Sequence, residues 1–167
     1  VRGRYNSSRN YKQMADLLGA THLLDMDYYL MDDDTFSNRL QNDLRNPDRN
    51  VAVGDRFSYD YALVERGVEA NASLKYLASR WRFDVGVAVG ATQQYRHGYF
   101  EKEIFAGEKS YGRSNVVNFA PYTVKASLGY SFSARHNIDF GAMIAEVAPD
   151  VEDMFLNSQY NNRMVDT

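Results

Sequence analysis

Residues 68–89, VEANASLKYLASRWRFDVGVAV, contain two arms in which apolar and polar side chains alternate. The apolar positions of the first arm run from Val68 to Tyr76, and those of the second run from Phe83 to Val89. Because successive side chains of a strand point to opposite faces, each arm has one apolar face and one polar or small face. Only residues 78–81 separate the two arms. The stretch therefore predicts an antiparallel β-hairpin.

The same pattern returns in residues 122–132 and 138–144, which are separated by a short turn at residues 133–136. Four such arms predict an all-β chain, an antiparallel meander of about five strands, and each arm has roughly the 9–11 residues that a transmembrane strand needs. One face of this sheet is expected to carry Val68, Leu74, Phe83, Val85, Val87, Leu128, Phe140 and Ile144. The other face is expected to carry Glu69, Asn71, Lys75, Asp84, Lys125 and Asp139.

The composition narrows the class of protein. With 167 residues, 44% hydrophobic and 25% charged, the chain fits about one folded domain. A mean hydropathy of -0.53 leaves no apolar run for a membrane helix, although it allows strands whose apolar half is hidden by alternation. The lack of Cys excludes disulfides and thiolate metal sites, and a net charge of -3 argues against general affinity for nucleic acid.

The connections between the arms alternate in length. The turns at residues 78–81 and 133–136 are short, whereas residues 13–55, residues 106–120 and the tail after Val147 are long. Bacterial outer-membrane barrels have this asymmetry, with short periplasmic turns and long extracellular loops. Aromatic residues also lie where interfacial girdles are expected, near the short turns and near the long loops: Tyr76, Trp81, Tyr130 and Phe132, then Tyr95 and Tyr122.

Local signals predict further elements. The acidic run at residues 32–34 favours a helix start, so a short helix is expected over Thr35 to Leu44, before a turn at residues 46–48. Residues 56–77 form one strand of roughly 70 Å or two shorter strands, and a change of parity near residues 64–67 indicates a bulge or kink. Loops are expected over residues 107–119 and 154–167.

Several stretches resemble the barrel region of TonB-dependent outer-membrane receptors of the Bacteroidetes type. They are Tyr11-Lys12, Asp16-Leu17-Leu18-Gly19, Leu24-Asp25-Met26-Asp27, Asn42 to Arg49, Gly54 to Tyr61, Ser110-Tyr111-Gly112, Arg135-His136 and Ala148-Pro149. The resemblance implies a barrel of about 22 strands closed by an N-terminal plug. About five strands cannot close such a barrel, so residues 1–167 are expected to be a partial barrel domain without the plug.

The resemblance also implies a function. The whole protein would lie in the bacterial outer membrane, contact its lipid, and import a scarce nutrient such as an iron chelate, cobalamin or glycan. The TonB energy-coupling protein would supply the energy through the missing N-terminal region. No ligand-binding residue of the family has a matching motif here, so the ligand-binding residues are unknown. No enzymatic activity, cofactor or nucleic-acid partner is expected.

Two other classes stay open. A soluble β-sandwich or small barrel could bind carbohydrate or lipid through Tyr-rich loops. An enzyme is a third reading, although the sequence has no G-x-S-x-G motif, P-loop or metallohydrolase helix. Flanking sequence with a plug domain upstream would decide among them.

Four sets of residues are candidates for chemistry. The acidic residues Asp25, Asp27, Asp32, Asp33 and Asp34 could bind a hard cation, although they lack EF-hand spacing, or form a solvated loop and a helix cap. The histidines at positions 22, 97 and 136 could hold a metal ion only if folding brought them together. The polar face carries Glu69, Lys75, Asp84, Lys125 and Asp139, which would line a barrel lumen or the wet side of a sandwich. Gly86 and Gly90 could make room for a plug or serve local packing.

Overall fold

The computed structural model describes residues 1–27 and 40–165. This part of the chain is all-β, as predicted, and its strands pair antiparallel. Two single turns of 3-10 helix, Glu103–Phe105 and Gly107–Lys109, are the helical segments among the described residues. No helix in these two ranges is long and apolar enough to cross a membrane.

Eleven strands follow one another along the described chain. They are β1 (Arg2–Gln13), β2 (Leu23–Leu24), β3 (Met26–Asp27), β4 (Leu40–Gln41), β5 (Asn50–Val51), β6 (Arg56–Ala78), β7 (Trp81–Gly98), β8 (Gly112–Arg113), β9 (Val117–Phe119), β10 (Tyr122–Ser133) and β11 (His136–Glu146).

The main sheet has the strand order β1-β6-β7-β10-β11, and β8 and β9 also pair with β7. Two small sheets pair β2 with β5 and β3 with β4. Tight turns join β6 to β7 through Ser79 and Arg80, and β10 to β11 through Ala134 and Arg135. Both hairpins and the five-stranded meander are therefore confirmed.

Strand β6 has 23 residues and β7 has 18. The alternative of one long strand over residues 56–77 is therefore the correct one. Its residues Asp60 to Val64 are buried in succession. Since neighbouring residues of a strand point to opposite sides, both faces are covered there. This burial on both faces explains why the alternation of the sequence is lost.

The predicted helix over residues 35–44 is wrong where it can be compared. Residues 35–39 lie outside the described residues, as does the acidic cap at residues 32–34, whereas Leu40–Gln41 forms β4. The backbone N–H of Gln41 donates to Glu103 Oε2 at 2.6 Å, and that of Asn42 donates to the carbonyl of Asp25 at 3.2 Å. These distant partners take the groups that a helix would have bonded within itself.

The predicted loop over residues 107–119 contains more regular structure than expected. It holds one 3-10 turn and strands β8 and β9, with Arg113 paired to His97 and Gly112 paired to Gly98. The far end of β7 supplied backbone partners that the local sequence did not reveal. Turns follow one another over residues 151–160, and one bridge pairs Phe155 with Met164, so the described part of the predicted loop over residues 154–167 holds little regular structure.

The chain forms two compact units. Unit 1 comprises Val1–Tyr5, Glu65–Gln93 and Val117–Pro149, and unit 2 comprises Asn6–Val64, Gln94–Val116 and Asp150–Thr167. The buried apolar residues of the described chain all lie in unit 2: Met26, Leu40, Val51, Tyr61, Ala62, Leu63, Val64, Val151, Met154 and Phe155. Within the described residues, unit 1 is thus a sheet without a packed apolar core, whereas unit 2 has one.

Candidate apolar face and buried polar cluster

The strand register of unit 1 sorts its side chains onto two faces. Val87 lies opposite Val124, which in turn lies opposite Ile144 on β11. Directly opposed residues point to the same side of a sheet. The ring of Tyr76 lies 6.2 Å from that of Phe83, which brings the apolar side of β6 onto the same face. The sorting of side chains predicted from the sequence is therefore confirmed.

We call this surface the apolar face. It consists of alternate residues of four strands: Val68, Ala70, Ala72, Leu74, Tyr76, Trp81, Phe83, Val85, Val87, Val89, Tyr122, Val124, Ala126, Leu128, Tyr130, Ile138, Phe140, Ala142 and Ile144.

The apolar face is uncovered. The exposed fractions of its large exposed residues range from 37% at Leu128 to 70% at Leu74. Soluble monomers seldom leave a contiguous apolar patch larger than roughly a few hundred Å² exposed. Every charged residue in the strand segments that carry this face has the opposite parity. The exposed apolar residues are therefore grouped on one face of the sheet, and the charged residues of these strands lie on the other.

An aromatic row lies at the end of the apolar face next to the tight turns. It consists of Tyr76, Trp81, Phe83 and Tyr130 of that face, together with Phe132 next to the β10–β11 turn. Trp81 and Tyr130 have ring centroids 4.5 Å apart, and Tyr130 and Phe132 meet edge to face at 4.9 Å. Tyr and Trp suit a boundary between apolar and wet surroundings because each joins an apolar body to a polar tip.

The opposite side of the sheet, here called the polar face, carries paired charges. Lys75 Nζ lies 3.4 Å from Asp84 Oδ2, and Arg82 Nη2 lies 2.5 Å from Asp139 Oδ1. Lys125 shares this face because the register places it opposite Gly86. The predicted polar set is confirmed as one surface of the sheet.

Glycines on the polar face leave room for long side chains. A Cβ on Gly86 would lie 2.6 Å from Cε of Lys125, and a Cβ on Gly129 would lie 2.3 Å from Oδ1 of Asp139. A Cβ on Gly90 would meet the carbonyl of Val68 at 3.1 Å. At Gly86 and Gly90, neighbouring groups of the sheet therefore occupy the space that a Cβ would need.

Unit 2 buries charged groups among its loops. Asp25 is 2% exposed, and its Oδ1 accepts hydrogen bonds from Asn42 Nδ2 at 3.1 Å and from the backbone N–H of Ser58 at 2.9 Å. Its Oδ2 accepts a hydrogen bond from Arg49 Nη2 at 2.5 Å. Both oxygens of Asp25 are thus occupied by protein donors.

Lys102 lies in the same cluster and is 3% exposed. Its ammonium donates to Asn42 Oδ1 at 2.6 Å and to the carbonyl of Ser58, and it lies 5.1 Å from the centre of the Tyr160 ring. Burial lowers the pKa of Lys102 to about 8, against the attraction of Asp25. Burial also raises the pKa of the Tyr160 hydroxyl.

Arg96 on β7 holds two loops of unit 2 in place through hydrogen bonds. Its Nη1 donates to the carbonyl of Ser110 at 2.8 Å and to Asn162 Oδ1 at 2.6 Å, while Nε donates to the carbonyl of Ser158. A Cβ on Gly98 would lie 1.9 Å from the same Ser110 carbonyl. Gly98 therefore leaves the space in which Arg96 reaches the loops.

Several aromatic rings of unit 2 make cation–π contacts with Arg or Lys side chains. The guanidinium carbon of Arg9 lies 3.9 Å from the Tyr99 ring centre, and that of Arg56 lies 4.3 Å from Tyr11. Further pairs join Lys12 to Tyr59, Arg45 to Tyr111, Arg49 to Phe100, Arg96 to Tyr61, Lys102 to Tyr160 and Arg113 to Tyr95. A sugar that stacked on these Tyr rings would have to share them with Arg or Lys.

The predicted acidic cluster has a different role where it is described. Asp25 is a buried partner of Arg49 rather than part of a solvated loop, and Asp27 lies in β3. Asp32, Asp33 and Asp34 lie outside the described residues. Within residues 1–27 and 40–165, no group of three or more His, Asp or Glu residues could hold a metal ion.

The three histidines have separate surroundings. His22 pairs with Thr21, the ring of His97 lies 4.8 Å from that of Tyr99, and His136 pairs with Ser133 in the β10–β11 turn. The structure brings none of these residues into a described metal-binding group.

No family model, curated protein or solved structure matches this chain. A function must therefore be inferred from the surfaces themselves.

The buried cluster of unit 2 was not predicted from the sequence. Asp25, Lys102 and Arg96 are far apart in the chain, and their partners come from loops without a motif. One signal was present: Gly98 sits two residues after Arg96 in a strand, where a Gly often marks close approach of another backbone.

Proposed function

We propose that this chain forms part of the wall of an outer-membrane transporter, a β-barrel of the TonB-dependent type that imports a scarce nutrient. The observation that carries the proposal is the uncovered apolar face of four antiparallel strands, with an aromatic row at one end and paired charges on the opposite side. Lipid would contact the apolar face, and the polar face would line the lumen.

The dimensions support this placement. From Trp81 to Val89 the apolar side of β7 rises eight residues, which is about 27 Å along the strand. A tilt of about 40° from the membrane normal would reduce this to roughly 21 Å, close to the apolar band of about 25 Å on outer-membrane barrels. The edge strands β1 and β11 would pair with neighbouring strands of the complete barrel.

The transport step follows from the resemblance to TonB-dependent receptors. The nutrient would be an iron chelate, cobalamin or glycan, and an inner-membrane TonB partner would supply the energy. The soluble alternative, in which Tyr-rich loops bind carbohydrate, is less well supported because described Tyr rings of unit 2 already contact Arg or Lys.

The single Trp of the chain allows a direct test. In bilayers, the fluorescence of Trp81 should be quenched by lipids brominated near the headgroup more strongly than by lipids brominated deep in the acyl chain. With Trp81 changed to Phe, a new Trp at position 87 should report deep bromines. A new Trp at position 88, on the other face, should respond to aqueous acrylamide instead.

Equal responses from positions 87 and 88 would contradict the lipid contact. Transport would be tested separately, by nutrient uptake into cells with and without a protonophore, because membrane contact alone does not establish import.

A further inference from the structure

Unit 2 contains a cavity of about 590 Å³ between the segment around the second 3-10 turn and the segment at residues 161–163. This volume lies within the range of about 300–1,000 Å³ that small-molecule sites occupy. The lining combines cations, amides and apolar groups, among them Phe105, Lys109, Arg113, Asn115, Asn162 and Arg163.

The charge of this cavity differs from that of the chain. Lys109, Arg113 and Arg163 face one acidic residue, Glu108, although the whole chain has a net charge of -3. Among the described residues, none of these three cations has a carboxylate within 4.0 Å. Their positive charge is therefore not neutralised by an ion pair within the described protein.

Other cations of unit 2 are used differently. Arg9 and Arg56 bind Asp60 at 2.7 and 2.9 Å, and Arg49 binds Asp25 at 2.5 Å. Within the described residues, Arg9, Arg49 and Arg56 therefore form ion pairs, whereas the three cations of the cavity do not.

The walls of the cavity are held together. The backbone N–H of Asn162 donates to the carbonyl of Lys109 at 2.6 Å, and its side-chain Nδ2 donates to the carbonyl of Glu108 at 2.7 Å. Its Oδ1 accepts a hydrogen bond from buried Arg96 at 2.6 Å. A site whose walls are fixed in advance loses less entropy when a ligand binds.

We propose that this cavity binds a small soluble anion that carries at least two carboxylate or phosphate groups. Arg side chains match these planar or tetrahedral oxygen groups with paired N–H donors, and Lys supplies a point charge. Among the lining residues, Asn115 offers a further amide, and Phe105 offers an apolar contact for the carbon skeleton. The proposal does not depend on membrane insertion, because every lining residue belongs to unit 2.

The test is isothermal titration calorimetry on the complete chain in neutral detergent at low salt and pH 7. Citrate and pyrophosphate are the probes, and trehalose is the uncharged comparison. We expect saturable binding of at least one anion and none of trehalose. Lys109→Gln and Arg163→Gln should each weaken binding about tenfold, because each removes a charge-assisted hydrogen bond.

Charge-preserving and distant variants complete the experiment. Lys109→Arg and Arg163→Lys should retain most of the affinity, and Arg135→Gln, in the β10–β11 turn, should bind like the unmodified chain. Circular dichroism should show the same melting curve for all variants. An equal loss in Arg135→Gln would reveal general charge attraction and overturn the proposal. So would the absence of saturable anion binding in the unmodified, folded chain.

Discussion

Arg82 on β7 and Asp139 on β11 bond to each other across the intervening strand β10, with Nη2 and Oδ1 2.5 Å apart. Gly129 of β10 lies beneath this ion pair, and a Cβ there would meet Oδ1 at 2.3 Å. The pair therefore ties three strands together only while position 129 carries no side chain.

Gly129→Ala should displace this pair and lower the urea midpoint of unfolding in detergent. The matched control is Gly141→Ala on the same face, because a Cβ at Gly141 has no atom closer than 3.8 Å. Because Gly129→Ala already displaces the ion pair, the double variant with Arg82→Gln should unfold at nearly the same urea midpoint as Gly129→Ala alone. If the two glycine variants unfold at the same midpoint, the space over Gly129 has no role in stability.

Val87→Arg should destabilise the protein in bilayers by about 2–4 kcal/mol if position 87 meets the hydrocarbon near its midplane. Ser127→Arg is the matched control, because it places the same side chain at an exposed position on the polar face of β10. It should cost much less, since water or polar groups surround that face. Urea unfolding of both variants in vesicles measures the difference, and equal costs would mean that the apolar face does not meet lipid.

Arg96→Met should loosen the loops that Arg96 fastens. The loss of three hydrogen bonds to buried or half-buried oxygen atoms should lower the free energy of unfolding by about 3 kcal/mol. Hydrogen exchange should accelerate at residues 108–114 and 158–163. Arg113→Met, which removes an exposed guanidinium of the same unit, should leave exchange at residues 158–163 unchanged. Unaltered exchange in Arg96→Met would contradict the role assigned to this side chain.

The buried ammonium of Lys102 should make stability depend on pH. Burial lowers the pKa of Lys102 from 10.5 in the ordinary case to about 8, so between these values the unfolded chain holds a proton that the folded chain has released. Folding therefore becomes more favourable as pH rises through this window. The free energy of unfolding of the unmodified chain, minus that of Lys102→Met, should rise by about 2 kcal/mol from pH 7 to pH 9.5.

Urea unfolding at the two pH values measures this growth. Lys102→Met, measured at the same two pH values, is the control for titrating groups that lie away from Lys102. A difference that stays constant with pH would show that Lys102 does not release its proton in the folded state.

The sequence predicts unit 1 well, because its signals are local. Alternation with period two defines the faces of β7, β10 and β11, and short polar turns define the two hairpins. A residue such as Val87 shows its orientation through its immediate neighbours, and pairing with Val124 then follows from the hairpin order.

The sequence predicts unit 2 poorly, because its structure depends on distant contacts. Gln41 and Asn42 bond to Glu103 and Asp25, so the region of the expected helix contains a short strand. The carboxylate of Asp25 has no neighbour in the chain that reveals its bond to Arg49, 24 residues away. Long loops with buried charges conceal such pairings until the fold brings them together.

Lys125 bends across Gly86, and the Arg82 guanidinium crosses Gly129, so these long side chains lie along the sheet instead of standing away from it. In the proposed barrel, the inner wall would therefore have low relief at these positions. A solute or a moving protein segment would pass a surface from which these two side chains project little. Few side chains would obstruct the passing molecule, and the absence of side chains at Gly86 and Gly129 would determine how closely it could approach the wall.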